Sequence, residues 1–197
     1  MKKLIPSLYT LILPFFLSSL AASAIDEATV HSEKIILGSG CFWGAEKGYE
    51  SLPGVIDAVS GYADGKGIRA TYREITKLKN KFNTNNHAEV VEVTYNKNLI
   101  STEELLMHYF ESHDPTQVNR QGNDIGTQYR SIILYSTEEQ KKVIDRVLQT
   151  FQGLLSAAGY SSIATSVKPI KKFYKAEKYH QDYIAKNPNG YCPDHST

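Results

Sequence analysis

The chain has 197 residues, and its 22 basic and 21 acidic side chains give a formal net charge of only +1. Such a near-neutral chain lacks the bulk positive charge with which proteins bind nucleic acid or anionic membranes. We therefore expect no nucleic-acid partner. Two short basic clusters, at residues 77–81 and 168–175, are interpreted as solvated surface.

The first 24 residues have the layout of a secretory signal peptide. Two lysines precede an uncharged apolar run at residues 4–20, and the sequence A-S-A at 22–24 forms a cleavage site. An uncleaved membrane anchor is the alternative, but the run is short for a span and contains two prolines. Cleavage leaves residues 25–197 as a single domain of 173 residues with a net charge of −1. We expect an exported protein, periplasmic or secreted, that keeps no membrane segment after cleavage.

Apolar periodicity and turn residues predict an interleaved series of strands and helices. The predicted strands are residues 33–37, 55–61, 87–95, 131–135 and 162–167. The predicted helices are residues 43–51, 103–112 and 138–157, with a short helix after Thr71 and a partly helical tail at 173–186. Capping boxes at 101–104 and 136–139 open two of these helices, and residues 115–130 are predicted to be a long polar loop.

This order of elements indicates an α+β sandwich in which helices pack on a small sheet. A glycine-rich phosphate-binding motif is absent from every strand-turn-helix junction of the sequence, so we expect no nucleotide cofactor. The six histidines form no H-x-x-x-H pair and the cysteines no C-x-x-C pair, so the sequence lacks the usual spacings of zinc ligands. His180 is interpreted as a histidine on a helix surface.

Residues 40–44 (GCFWG) are the most informative stretch of the chain. They contain one of two cysteines and the only tryptophan, and they lie between a predicted strand and a predicted helix. Cys41 is therefore expected at a helix N-terminus, where free N–H groups and the helix dipole favour the nucleophilic thiolate. The rings of Phe42 and Trp43 could wall an apolar pocket beside its sulfur.

The two cysteines, Cys41 and Cys192, permit two interpretations. In an exported protein, a structural disulfide is the default expectation. However, a domain of this size can fold without a disulfide cross-link. Spacing alone leaves both possibilities open.

Glu89 is the second candidate catalytic residue. Period two on the strand 87–95 puts it on the same face as Val91, Val93 and Tyr95. A carboxyl on an apolar face would be desolvated and protonated near neutral pH, and could then donate a proton to a substrate. The alternative is an edge glutamate paired with a lysine, which the rarity of buried carboxylates favours on sequence alone.

The segment 121–130 is dense in hydrogen-bonding side chains and contains two glycines. Long polar loops in compact domains are often functional, and Asp124 and Tyr129 are candidates for orienting a small polar ligand. A self-capping surface loop explains the composition equally well.

Six groups of residues, in order along the chain, resemble the A-type peptide methionine sulfoxide reductases. They are residues 40–46 (GCFWGAE), 61–62 (GY) with 71–72 (TY), 87–91 (HAEVV), 121–131 (QGNDIGTQYRS), 179–183 (YHQDY) and 187–192 (NPNGYC). The resemblance extends from Lys34 to Cys192. It implies a ferredoxin-like two-layer α+β sandwich, with helices on a mixed sheet, followed by a long coiled C-terminal tail.

The resemblance implies reduction of methionine-S-sulfoxide, in proteins and as the free amino acid. The sequence indicates neither a metal nor an organic cofactor, and we expect none. Cys41 would attack the sulfoxide sulfur, Glu89 would protonate the oxygen, and Cys41 would become a sulfenic acid. Cys192 would then form a disulfide with Cys41, and a thioredoxin-type protein would reduce it. Because cytosolic thioredoxin would not reach an exported enzyme, we expect an exported thioredoxin-like reductant. We expect the protein to be a monomer.

The resemblance also implies the substrate-binding residues. Phe42 and Trp43 would hold the S-methyl group, and the hydroxyls of Tyr72 and Tyr129 would help to bind the sulfoxide oxygen. Asp124 would shape the site and assist the resolving step.

Three departures from the family pattern border the expected pocket. Asp64 stands where the family usually has a second glycine, and Asn85-Asn86 stand where it usually has Thr-Gly. The segment 73–86 is longer than usual. These departures remove none of the implied catalytic groups, but they bear on substrate preference and on docking of the reductant.

Other functions stay open on the residues alone. A papain-like hydrolase would pair Cys41 with His180 or His87, although the papain signature around the cysteine is absent. A thiol–disulfide oxidoreductase is disfavoured by the lack of a C-x-x-C motif. A secreted binding module would use a Cys41–Cys192 disulfide only for stability, worth about 2–5 kcal/mol.

Overall fold

The computed structural model of the protein describes residues 31–190. Its strands are β1 Ser32–Gly38, β2 Val55–Ala63, β3 Ala88–Asn96, β4 Arg120–Gln121, β5 Asp124–Ile125, β6 Ile132–Tyr135, β7 Ser166–Pro169 and β8 Phe173–Lys175. Its α-helices are α1 Phe42–Glu50, α2 Tyr72–Ile75, α3 Thr102–Glu111, α4 Glu138–Ala157 and α5 Tyr183–Lys186. The predicted signal peptide and Cys192 lie outside the described residues.

Six strands form one mixed sheet in the order β7-β6-β1-β3-β2-β8. β3 is internal and pairs antiparallel with β1 and β2, while β7 pairs parallel with β6. The remaining strands, β4 and β5, form a two-residue hairpin. The α+β class predicted from the sequence is confirmed.

Apolar side chains cover both faces of β3, which agrees with its mixed sequence pattern. Val91 and Val93 pack on one face with Leu105 and Tyr109 of α3. On the other face Val90 belongs to a smaller cluster with strands β1, β2 and β6. Burial of this kind stabilises the fold by about 25 cal/mol for each Å² of apolar surface removed from water. The strand is therefore a rigid base for any side chain that it carries.

The capping box predicted at residues 101–104 is confirmed, because the side chains of Ser101 and Glu104 each accept the other's backbone N–H. The box predicted at 136–139 is wrong by one residue. Thr137 caps α4 by accepting a hydrogen bond of 3.1 Å from the Gln140 amide, and the Gln140 side chain accepts from the Ser136 amide at 2.8 Å.

The fifth predicted strand is misplaced. The structure begins β7 at Ser166, whereas the prediction was 162–167. The backbone before it bonds elsewhere: the Ile163 amide donates to the Gln152 side chain at 2.8 Å, and the Ala164 amide donates to the Pro115 carbonyl at 2.7 Å. The amides of residues 163 and 164 thus donate to a side chain and to a loop carbonyl instead of to a neighbouring strand.

Two further segments are more ordered than predicted. The polar loop 115–130 contains the β4–β5 hairpin and a 3-10 helix, Thr127–Tyr129. The tail contains β8, which pairs antiparallel with β2, and only α5 is helical. Within residues 31–190, none of the helices is long and apolar enough to cross a membrane.

Candidate active site

Cys41 lies where β1 turns into α1. Gly40 has a φ of 102°, which an L-residue with a side chain rarely adopts, so glycine permits the turn. Cys41 follows as the N-cap residue of α1, with φ −62° and ψ 123°. The predicted position of the cysteine at a helix N-terminus is confirmed, and the helix dipole favours negative charge there.

Glu89 lies on the internal strand β3 and is 2% exposed. Burial raises the pKa of its carboxyl to about 8, and the nearby Asp124 adds to this rise. A hydrogen bond of 3.3 Å from the Phe42 amide to Oε2 acts in the opposite direction. The carboxyl is thus protonated at neutral pH and can donate a proton. The alternative of an edge glutamate paired with a lysine is wrong.

Seven of the described residues line a pocket of about 260 Å³. They are Cys41, Phe42, Trp43, Tyr72, Glu89, Asp124 and Tyr129. The sequence analysis named all seven as candidate site residues, and the structure brings them together from α1, β3, α2 and the segment that follows β4. Their individual roles stay predictions.

Two tyrosine rings line the pocket beside the acid. Burial raises the pKa of both Tyr72 and Tyr129, and the negative charge that Glu89 carries once it ionises, above about pH 8, raises both further. Both phenols are therefore protonated at neutral pH, and each O–H can donate a hydrogen bond to an oxygen atom in the pocket. Tyr72 opens α2, and its amide donates to Glu177 Oε1 at 3.0 Å.

His180 is buried, so its interpretation as a helix-surface histidine is wrong. Its Nδ1 accepts a hydrogen bond of 3.0 Å from Trp43 Nε1, and its ring centroid lies 5.1 Å from that of Phe42 and 4.7 Å from that of Tyr72. Burial lowers its pKa, although the charge of Glu177 opposes this, so the imidazole is neutral. His180 therefore supports the aromatic wall of the pocket from behind.

Trp43 is also held from its other side. The ring of Tyr183 in α5 stacks on the indole with a centroid separation of 3.7 Å and an interplanar angle of 13°. The C-terminal segment therefore fixes the orientation of the pocket wall.

Glu46 ties this C-terminal segment to α1. Its buried carboxylate accepts from the Ser60 amide at 3.1 Å and from the Asp182 amide at 2.8 Å. Burial raises the pKa of Glu46, and these two hydrogen bonds act against that rise. Asp182 adopts a left-handed conformation with φ 52°, which turns the chain into α5. The sequence analysis identified none of these contacts.

Glu177 makes a second tie. Its carboxylate accepts from the Tyr62 hydroxyl at 2.7 Å and from the Tyr72 amide at 3.0 Å. Burial by itself raises the pKa of Glu177, but these hydrogen bonds more than offset the effect and the pKa is lowered overall. The charged carboxylate thus holds the start of α2 against β2.

The two polar departures from the family pattern have structural partners. Asp64 adopts φ 62°, and its carboxylate contacts Arg130 at 3.0 Å and Lys168 at 2.7 Å. The Asp64–Arg130 ion pair therefore fixes the residue that directly follows Tyr129, which lines the pocket. Asn86 is buried, and its side-chain amide donates to the Ile75 carbonyl at 2.9 Å, which closes the long segment onto α2.

The geometry does not support a cysteine–histidine pair within residues 31–190. The residues that line the pocket include no histidine. His87 engages Gly65 through Nδ1 at 3.1 Å and Gly67 through Nε2 at 2.9 Å, and His180 Nδ1 is occupied by Trp43. The described chain also contains no group of three or more His, Cys, Asp or Glu side chains placed to hold a metal ion.

Comparison with known proteins matches residues 33–197 to the family model described as peptide methionine sulfoxide reductase. The peptide methionine sulfoxide reductase MsrA of Xylella fastidiosa strain M12 is 49% identical over 160 residues, which cover 81% of this chain and 72% of that protein. The MsrA of Vibrio parahaemolyticus is 44% identical over 162 residues, with coverage of 82% and 74%.

Solved structures agree. Methionine sulfoxide reductase A of Corynebacterium diphtheriae is 40% identical, with a TM-score of 0.76 over 84% of this chain and 80% of that one. Mxr1 from Saccharomyces cerevisiae in reduced form is 36% identical, with a TM-score of 0.72 over 83% and 91%. Mxr1 in complex with Trx2 is 27% identical, with a TM-score of 0.55 over 88% and 94%. The chain belongs to the peptide methionine sulfoxide reductase family.

Proposed function

We propose that the protein is a peptide-methionine (S)-S-oxide reductase that repairs oxidised methionine in proteins and also accepts free methionine sulfoxide. The observation that carries the proposal is the buried, protonated Glu89 beside Cys41 in one aromatic pocket. A sulfoxide needs a nucleophile at sulfur and a proton at oxygen, and this pair supplies both. Family membership adds independent support.

In the first step, the Cys41 thiolate attacks the sulfoxide sulfur while Glu89 donates its proton to the oxygen. Tyr72 and Tyr129 donate hydrogen bonds to the same oxygen, and Phe42 and Trp43 enclose the S-methyl group. The S–S bond formed by this attack breaks again as the protonated oxygen leaves the substrate sulfur and bonds to the sulfur of Cys41. The substrate is thereby reduced to a thioether, and Cys41 is oxidised to a sulfenic acid.

In the second step, the thiol of Cys192 attacks the Cys41 sulfenic acid. A disulfide forms and water leaves, so the atoms and electrons balance. The dithiol of a thioredoxin-type protein then reduces the disulfide by exchange. The structure of the related Mxr1 in complex with Trx2 supports a partner of this kind.

Export, monomeric state and the finer fold class are also proposals. The N-terminal pattern at residues 1–24 supports a cleaved signal peptide and a periplasmic or secreted enzyme. The reductant is then an exported thioredoxin-like protein. The order β1-α1-β2-β3-α3-β6 with sheet order β6-β1-β3-β2 supports a ferredoxin-like core. A coiled C-terminal tail is supported by the described residues after Lys175, of which only α5 is helical. Turnover supported by cytosolic thioredoxin alone would contradict the exported partner.

The function is tested by steady-state assay on the separated S and R epimers of a methionine sulfoxide peptide, with dithiothreitol as reductant. The expected result is methionine from the S epimer only, and none with Cys41→Ser. Absence of methionine from both epimers would refute the proposal.

A further inference from the structure

A groove of about 440 Å³ adjoins the catalytic pocket and shares Tyr72, Asp124 and Tyr129 with it. Beyond these three residues, one wall comes from the segment after α2, which includes Leu78 and Lys81. The opposite wall comes from β5 and the residues that follow it. The groove is therefore an open extension of the pocket.

Hydrogen bonds between its two walls preform the groove. The Thr127 amide donates to the Lys81 carbonyl at 2.8 Å, and the Thr127 hydroxyl donates to the Asn80 carbonyl at 3.0 Å. The buried Asn86 side chain braces the first wall, since it donates to the Ile75 and Asn80 carbonyls at 2.9 and 3.3 Å. It also reaches the Thr127 hydroxyl of the opposite wall at 3.5 Å. A preformed groove binds a ligand without a large cost of ordering.

The side chains that belong to the groove alone have a distinct chemistry. Leu78 is 86% exposed and Ile125 is 42% exposed, so each wall presents an apolar side chain to solvent. Among residues 31–190, Lys81 is the one charged lining residue that the groove does not share with the catalytic pocket. Lys81 is half-buried, and the nearby exposed Lys79 adds positive charge to this edge.

On the basis of the proposed function, we infer that this groove binds the residues next to methionine sulfoxide in a polypeptide and favours an apolar and an acidic side chain there. The catalytic pocket, at about 260 Å³, holds one side chain, so the adjoining polypeptide must leave through an open side. The groove supplies that exit. Leu78 and Ile125 pack against the apolar side chain, and Lys81 attracts the acidic one. The basic cluster 77–81, interpreted from the sequence as solvated surface, thus has a specificity role.

The test measures kcat/KM for S-epimer peptides in which the sulfoxide is followed by Leu-Glu, Leu-Lys or Ser-Glu, and for the same three pairs placed before it. We expect a preference either for the pairs that follow the sulfoxide or for those that precede it. In that set, kcat/KM of the Leu-Glu peptide should exceed kcat/KM of the Leu-Lys peptide by about two- to fivefold, as for an exposed ion pair. The difference lies in KM, because the groove binds ground state and transition state alike. It shrinks at high salt.

Variants locate the effect. Lys81→Glu inverts the Glu-to-Lys ratio, and Leu78→Ser lowers the preference for leucine over serine by about three- to tenfold. Lys142→Glu makes the same charge change on α4, which lines neither pocket, and leaves the ratio as in the parent. Each comparison is a ratio within one variant, so a general loss of folding or catalysis cancels.

An assay of the unaltered protein with free methionine-S-sulfoxide distinguishes failure of the groove inference from failure of the proposed function. If the free sulfoxide is reduced but the peptide ratios are all unity, the groove inference fails and the proposed function stands. The groove inference also fails if Lys81→Glu and Lys142→Glu change the ratio equally. If neither free sulfoxide nor any peptide is reduced, the proposed function itself fails.

Discussion

The amide nitrogen of Phe42 lies 3.3 Å from Oε2 of Glu89, so a hydrogen bond joins the buried acid to the residue after Cys41. The two partners come from the first turn of α1 and from the internal strand of the sheet. The backbone therefore sets the position of the cysteine relative to the acid. This arrangement limits the motion of both groups, which general acid catalysis requires.

Replacing Glu89 by glutamine tests its role as acid. Glu89→Gln keeps the size of the protonated carboxyl and an oxygen that accepts from the Phe42 amide, but it cannot give up a proton. We expect methionine formation in a single turnover to slow by about 10²- to 10⁴-fold. The control is Glu92→Gln on the same strand, whose carboxylate pairs with Lys34 at the surface. Equal rates in the two variants would exclude Glu89 as the acid.

The raised pKa of Glu89 predicts that the stability of the parent protein depends on pH, with Glu89→Gln as the reference. The folded pKa of Glu89, about 8, lies above its ordinary value of 4.5, so the folded protein holds a proton that the unfolded chain releases between these values. The contribution of Glu89 to stability is complete below pH 4.5 and is lost as the pH rises through about 8. Urea unfolding of the parent relative to Glu89→Gln should show this loss. A difference that is constant with pH would show that the acid is not perturbed.

Trp43 should report on its contact with His180. It is the only tryptophan of the chain, so its fluorescence isolates this wall of the pocket. His180→Phe keeps a ring but removes the acceptor, and we expect altered emission and a two- to tenfold loss of kcat/KM, as for about 0.5–1.5 kcal/mol of hydrogen bonding. His180→Asn restores an acceptor and should recover part of the loss. If both variants behave alike, the hydrogen bond is not what positions the indole.

Glu46 should be needed for stability because its buried carboxylate accepts two backbone amides from different segments. Glu46→Ala leaves both amides without their acceptor, and we expect unfolding to become easier by about 1–3 kcal/mol. Lys47→Ala, at an exposed position of the same helix, is the control and should change stability by less than about 0.5 kcal/mol. Equal destabilisation by both variants would mean that the two hydrogen bonds of Glu46 contribute nothing specific to stability.

Local sequence patterns predicted Cys41 at a helix start, because a strand, a glycine turn and a helix follow each other within a few residues. They also gave the α+β class and the bounds of α4. Glu89 shows the limit of such patterns. Its strand position was visible, but its burial depends on β1, β2 and α1 packing around β3, and the sequence alone favoured an edge pairing.

The supporting residues of the site could not be predicted from local sequence. His180 lies 137 positions from Trp43, and Asp182 lies 136 positions from Glu46. Neither pair shares a helix or a hairpin, so no periodicity connects its members. The motif 179–183 marked the segment through its resemblance, but only the tertiary fold shows that it holds the pocket wall.

The central claim is that Cys41 performs the reduction and Cys192 only resolves its product. The most direct measurement is one turnover of an S-epimer methionine sulfoxide peptide by the pre-reduced protein, beside Cys41→Ser and Cys192→Ser. The account predicts one equivalent of methionine from Cys192→Ser, a disulfide in the parent and no methionine from Cys41→Ser. A reduction-resistant Cys41–Cys192 disulfide with no methionine from any form would contradict it and indicate a structural role for the two cysteines.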